Sequence, residues 1–202
     1  MKLNKNKILF AGNGGHCKEL KSIYFEKDEM DFLYFVTNIK YAKNNSSYIH
    51  ETEDILKVLE LNPFFVLATG GSKLRYKFYN KLTKLGGIAN TVISKTSIVN
   101  TDKSNLGYGL NIMDFVYLGP NSSVGTGSLI NTSCSIHHDS KVGEFVEIAP
   151  GARILGGAKI GNQCLIGTNS VIFPNVSIGE NSKIGAGVVV KKDIPADSII
   201  TS

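Results

Sequence analysis

The second half of the chain keeps a strict six-residue rhythm. From Leu106 to Pro195 it parses without a gap into fifteen hexads, beginning LGYGLN, IMDFVY, LGPNSS and VGTGSL, and the first position is always Leu, Ile or Val. Position five is mostly Ser, Ala, Val or Cys. It lies two residues before the next aliphatic, so the period-two geometry of a strand turns both to one face. Position four is Gly, Asn or Asp in eleven hexads, among them Gly109, Asn121, Gly151, Asn169, Asn175 and Gly187. These types best tolerate a positive φ, which marks a corner. Short strand and corner, repeated, predict a solenoid; with three sides per turn the hexads make about five coils around one continuous core. Cys134 and Cys164 fall at position five and are read as core residues rather than redox or catalytic groups.

The first half has a different period. Short apolar runs at Lys7–Ala11, Phe32–Val36 and Phe64–Ala68 read as buried strands, and helical patterns follow over 17–27, 53–61 and 72–85. Ser72 suits the N-cap of the third helix, and Gly86-Gly87 stops it. This alternation predicts a small Rossmann-like parallel sheet, with a ligand at the carboxyl ends of its strands. The division expected is an α/β domain over 1–92 and an all-β domain over 93–202.

Candidate chemistry in the first half is a glycine loop, Gly12-Asn-Gly14-Gly15-His16, between a strand and a helix. Such a loop lets backbone approach a phosphate and aims helix N–H groups at it. As a dinucleotide fingerprint it fails twice: Cys17 holds the third glycine position, and Thr37 and Asn38 stand where an acidic residue would meet the ribose. Gly70-Gly71 repeats the arrangement after the third strand. His16 either donates to the ligand or caps a turn.

Composition narrows the partners. The chain has 202 residues and a formal net charge of +5; residues 1–90 carry 14 basic and 9 acidic side chains, residues 91–202 eight of each. The positive excess therefore sits in the first half, without the arginine clusters or aromatic interleaving of a nucleic-acid surface, and fits a small anion such as a nucleoside diphosphate. No apolar run is long enough for a membrane span, and the N-terminus lacks a cleavable leader pattern. Three widely spaced cysteines form neither a disulfide framework nor a metal-ligand set, so a reducing, cytoplasmic setting and no metal are expected.

The hexads resemble those of the left-handed parallel β-helix (hexapeptide-repeat) acyltransferases. Joined to a Gly-x-Gly-Gly-His loop and the segment Ile-His-His-Asp-Ser-Lys-Val-Gly-Glu-Phe, they resemble more narrowly the N-acetyltransferases of UDP-4-amino sugars in bacillosamine synthesis and the sialic acid O-acetyltransferases. The resemblance implies a left-handed solenoid, acetyl-CoA as co-substrate, and a homotrimer with active sites between neighbouring β-helices. It implies that His138 is the general base assisted by Asp139, and that Asn131 contacts substrate. Gly156 would hold the acetyl carbonyl through its N–H, and Glu147, Thr168 and Ala186 would line the acetyl-CoA channel. Gly14, Gly15, His16 and Gly70 match nucleotide-sugar positions, as do the sites of Thr37 and Asn38, where relatives carry an acidic pair. Many relatives have a second histidine at the position of Glu147, and a Pro-Ala-Lys-like tail beyond Ser202. His137 has no counterpart and reads as a surface or structural residue. The activity implied is N-acetylation of a UDP-linked 4-amino sugar for a bacterial surface glycan. The alternatives are O-acetylation of sialic acid, or a non-catalytic trimeric scaffold that binds sugar nucleotides.

Overall fold

The structure, a computed structural model, describes residues 8–24, 32–35, 48–49 and 51–201. The chain forms two compact units, one of residues Met1–Thr69 with Lys77–Asn90, the other of Gly70–Tyr76 with Thr91–Ser202. Thr37 and Asn38 lie outside the described residues. Among those residues no helix is long and apolar enough to cross a membrane.

The first unit is a parallel sheet of β1 (Ile8–Ala11), β2 (Phe32–Phe35), β3 (Tyr48–Ile49), β4 (Phe64–Leu67) and β5 (Ile88–Ala89), in spatial order β3-β2-β1-β4-β5. Helices α1 (Gly15–Tyr24), α2 (Thr52–Leu61) and α3 (Ser72–Lys84) alternate with the strands. β1 and β4 are buried along their apolar runs except for Phe64, and Leu9, Phe65 and Leu67 pack with Ile55, Val58, Phe78 and Leu82. The strand order reverses between β1 and β4, the position where doubly wound sheets open a crevice at their carboxyl ends. Gly12 sits there with φ +129, and a Cβ on it would fall 2.6 Å from the Ala68 carbonyl oxygen. Only glycine fits. The α3 stop is as expected: Gly86 takes φ +88, and the Gly86 and Gly87 N–H groups donate to Thr83 and Leu82 carbonyls. β3 and β5 are two residues each, too short to leave a periodic signal.

The second unit is a triangular parallel solenoid, the architecture the hexads predict. Face I stacks the strands starting at Val92, Asn111, Leu129, Glu147, Leu165, Lys183 and Ile199; face II those at Ile98, Tyr117, Ser135, Arg153, Val171 and Val189; face III those at Ser123, Lys141, Lys159 and Ser177. Each first-position aliphatic pairs with its counterpart one coil on, as Ile130 with Ile148 and Ile148 with Ile166, so the register repeats every 18 residues. The five predicted coils are preceded by a sixth. Val99 pairs with Leu118 and Leu106 bridges Val124, but a one-residue insertion around the short 3-10 turn Lys103–Asn105 breaks the six-residue spacing there.

Positions one and five fill the core. Ile112, Ile130, Ile136, Ile148, Ile154, Ile166 and Ile172 are 0% exposed, as are Ser122, Ser128, Ser140, Ala152 and Cys164. The buried hydroxyls are satisfied by backbone: Ser128 Oγ donates to the Gly143 carbonyl (2.9 Å) and Ser140 Oγ to that of Leu155 (3.0 Å). Cys134 and Cys164 are free, buried thiols, and burial pushes the Cys134 thiol up to about 11, away from the reactive thiolate. Position four carries a positive φ in every hexad from Gly109 to Gly187, including Phe115, Ser133, Phe145 and Gln163. Asp193 is absent from that set because the last coil is shortened: Ile194 bridges Ile178.

Candidate active site

His138 and Asp139 occupy the corner between faces II and III, at hexad positions three and four. Asp139 takes the left-handed conformation (φ 60), which a short polar residue tolerates, and its backbone N–H donates to the Pro120 carbonyl one coil earlier (3.0 Å). The two side chains are 67% and 59% exposed, so the imidazole points away from the aliphatic core. His138 Nδ1 lies 2.8 Å from Asp139 Oδ2. An ionised carboxylate only accepts, so Nδ1 carries the proton and Nε2 presents its lone pair. Asn121, at the same corner one coil earlier, donates through Nδ2 to Asp139 Oδ1 (3.2 Å). The hydrogen bonds from His138 and Asn121 hold the Asp139 carboxyl below its usual value, and it is ionised at neutral pH.

Gly156 occupies the position of His138 one coil later and forms the seat of the ring. A Cβ there would fall 2.5 Å from His138 Nε2 and 2.6 Å from Cε1. His138 and Gly156 are thus neighbours, with Nε2 on the side of the Gly156 backbone. His137 lies half-buried beside Tyr117, ring centroids 5.9 Å apart.

The other candidates of this unit lie elsewhere on the prism. Asn131, Thr168 and Ala186 mark the corner between faces I and II. Thr168 and Ala186 are exposed, whereas Asn131 is half-buried and its Oδ1 accepts from the Thr132 N–H (2.9 Å). Glu147 projects from face I and meets Gly70-Gly71: its Oε2 accepts from the Gly71 N–H at 2.6 Å, and a Cβ on Gly70 would lie 3.4 Å from Oε1. Glu147, not Ser72, therefore serves the entrance of α3. Ser72 is the first helical residue, and its hydroxyl faces the Cys164 carbonyl at 3.4 Å. A groove of about 660 Å³ opens here, lined by Gly71, Ser72, Glu147, Leu165, Lys183 and Ile199.

Sequence reading missed Arg75. It is 0% exposed, with Nε donating to the Gly127 carbonyl (2.6 Å), Nη1 to Asn111 Oδ1 (2.7 Å) and Nη2 to the Gly109 and Ser128 carbonyls (3.3 and 3.4 Å). Burial pulls its pKa down to about 9, opposed by Glu147, so it stays charged at neutral pH. One signal was available: Arg75 is one of two arginines among 22 basic residues, and arginine is the cation suited to several fixed acceptors.

In the first unit, Gly14 and Gly15 lead into α1. A Cβ on either would meet no atom within 4 Å, and neither has a positive φ. Their lack of side chains answers no demand of fold or packing, unlike that of Gly12, and leaves the helix entrance open. His16 is largely covered (side chain 10% exposed), with Nδ1 3.6 Å from Glu19 Oε2. Among the described residues no group of three or more His, Cys, Asp or Glu converges as a metal site.

Residues 157–192 match the family model described as bacterial transferase hexapeptide (six repeats). A GDP-perosamine N-acetyltransferase of Escherichia coli O157:H7 is 31% identical over 125 residues, 61% of this chain and 56% of that protein. The chain thus spans little more than half the length of this curated relative. Among solved structures, PerB of Caulobacter crescentus, in complex with CoA and GDP-perosamine, has a TM-score of 0.85 at 22% identity, covering 98% of this chain and 95% of its own. The acetyltransferase domain of PglB from Neisseria gonorrhoeae, in complex with acetyl coenzyme A, gives 0.79 at 22% identity over 96% and 97%. At these identities the likeness establishes a shared fold.

Proposed function

We propose that this protein transfers the acetyl group of acetyl-CoA to the amino group of a nucleoside-diphosphate-linked amino sugar, with His138 as general base. The observation that carries this reading is the set of the imidazole: exposed, Nδ1 tied to an ionised Asp139, Nε2 free beside Gly156. Attack of an amine on a thioester carbonyl requires loss of a proton from nitrogen as the C–N bond forms. Nε2 accepts that proton, Asp139 stabilises the resulting imidazolium, and as the C–S bond breaks the proton passes from Nε2 to the departing CoA thiolate. The Gly156 N–H is the candidate donor to the carbonyl oxygen as charge develops on it. The co-substrate supplies an acyl group activated as a thioester; Gly156 is assigned to its carbonyl, and Thr168 and Ala186, exposed on the I–II corner, to its polar arm. Glu147 acts at that groove by fixing Gly70-Gly71, because its carboxylate is already engaged.

The open helix entrance at Gly14-Gly15 and the excess positive charge of residues 1–90 support a diphosphate at the first unit. With Gly14 and Gly15 we assign His16, Thr37 and Asn38 to the sugar nucleotide. UDP and GDP are the candidate carriers, the latter carried by GDP-perosamine in the relatives described above. His138 stands on the II–III corner, whereas Asn131, Thr168 and Ala186 stand on the I–II corner, six residues of extended chain or roughly 20 Å away. This separation supports a homotrimer whose sites are completed by neighbouring protomers. Both substrates and the free thiols suit the cytoplasm, and the product suits assembly of a bacterial surface glycan.

The test is mass spectrometry of UDP- and GDP-linked 4-amino sugars, and of sialic acid, incubated with acetyl-CoA and enzyme. Acetylated nucleotide amino sugar, lost in His138→Asn, is the expected result. Acetylation of sialic acid alone would favour O-transfer, and no product with any acceptor would favour the scaffold reading.

A further inference from the structure

Asp139 is held from two sides, and only one of them is the histidine. Its Oδ2 meets His138 Nδ1, and its Oδ1 accepts from Asn121 Nδ2, a residue 18 positions earlier on the preceding coil. A carboxylate with one partner on an exposed corner can still turn about its Cβ–Cγ bond, and each turn breaks the bond to the ring. A second bond from a fixed neighbour removes that freedom. The neighbour is fixed: Asn121 sits at a left-handed corner (φ 57), and the Asp139 N–H to Pro120 carbonyl bond locks the two corners together. Because a carboxylate accepts only, the amide must present its NH₂ group, so the polarity runs Asn121 to Asp139 to His138.

We propose that Asn121 is a positioning residue for the acetyl transfer. It orients the Asp139 carboxylate so that His138 keeps its proton on Nδ1 and its lone pair on Nε2. The inference rests on His138 being the base, as proposed above. The bland alternative is that asparagine stands here for its tolerance of a positive φ, as Asn169, Asn175 and Asn181 do at other corners.

Two substitutions separate these accounts, because both keep that tolerance. Asn121→Gly removes the donor, and Asn121→Asp puts an acceptor against the Asp139 carboxylate. Both are expected to fold with unchanged melting temperature and to keep KM for the nucleotide sugar. kcat should fall by about three- to tenfold in Asn121→Gly and further in Asn121→Asp. The readout independent of turnover is ¹⁵N NMR of histidine-labelled protein: the Nδ1–H tautomer of His138 should dominate in the parent and lose population in both variants. Unchanged kcat and an unchanged tautomer in both variants would overturn the role of Asn121. His138→Asn is the control for the underlying reading: if it retains turnover, the base assignment fails, whatever Asn121 does.

Discussion

The ring of His138 rests on Gly156, one coil later in the same corner column, so closely that a methyl group on Gly156 would fall 2.5 Å from Nε2. Gly156 has no positive φ, and the atoms in conflict belong to an exposed side chain that can swing away. Gly156→Ala should therefore leave the melting temperature within a degree or two while displacing the base. A misplacement near 1 Å costs on the order of a hundredfold in rate, and that loss should appear in kcat. Thermal melts and steady-state kinetics on one preparation check both halves.

Asp139 enters the reaction through charge and geometry together. Asp139→Asn keeps the corner conformation but allows the amide to face Nδ1 with either atom, so the Nδ1–H tautomer is no longer enforced. We expect kcat to fall about tenfold to a hundredfold, less than for a buried aspartate in this role because solvent competes at the exposed site. His138 and Asn121 hold the Asp139 pKa below its free value, so the pairing contributes fully above the ordinary carboxylate range and fades only as pH falls through the depressed value. Between pH 5 and 8 the rate profile should show no limb from Asp139; a carboxylate limb in that window would contradict the assignment.

Arg75 is a buried cation whose donors serve three carbonyls and one amide oxygen. Arg75→Met leaves those acceptors and Glu147 without their cation, at an expected cost of about 3 kcal/mol. Arg75→Lys recovers only part of it, since an ammonium cannot span the same acceptors. Denaturant titration of both variants measures the difference, and equal midpoints for Met and parent would refute the anchoring role.

The two kinds of glycine in the first loop predict opposite outcomes. Gly12→Ala meets the Ala68 carbonyl and a disallowed φ, and should destabilise by about 2 kcal/mol. A Cβ at position 14 meets no atom within 4 Å, so Gly14→Val should melt with the parent while raising KM for the sugar nucleotide by about tenfold or more. A Gly14→Val enzyme with unchanged KM would move the diphosphate elsewhere.

How much of this was legible in the sequence depended on periodicity. The solenoid could be read because one aliphatic position must recur wherever coils stack, and His138 could be placed outside the core from its offset to Ile136. The first coil was hidden by a single inserted residue near Lys103–Asn105, which shifts the rhythm without harming the pairing of Val99 with Leu118. Phe115 and Phe145 occupy left-handed corners that composition would never assign to phenylalanine; Phe145 is held there by packing, buried against Gly127 and edge-on to Tyr76 at 5.2 Å. The union of Glu147 with Gly71 and of Arg75 with Asn111 spans long stretches of chain, and no local pattern encodes such encounters.

Because every coil repeats the same ladder, the prism can in principle grow or shrink by whole storeys. Asn121, His138 with Asp139, Gly156, Thr168 and Ala186 belong to five successive floors, so a floor added beyond them would alter the height of the tower and leave the workshop on its landing undisturbed. Length variation among such proteins would then be a matter of architecture alone, free to evolve without renegotiating the chemistry.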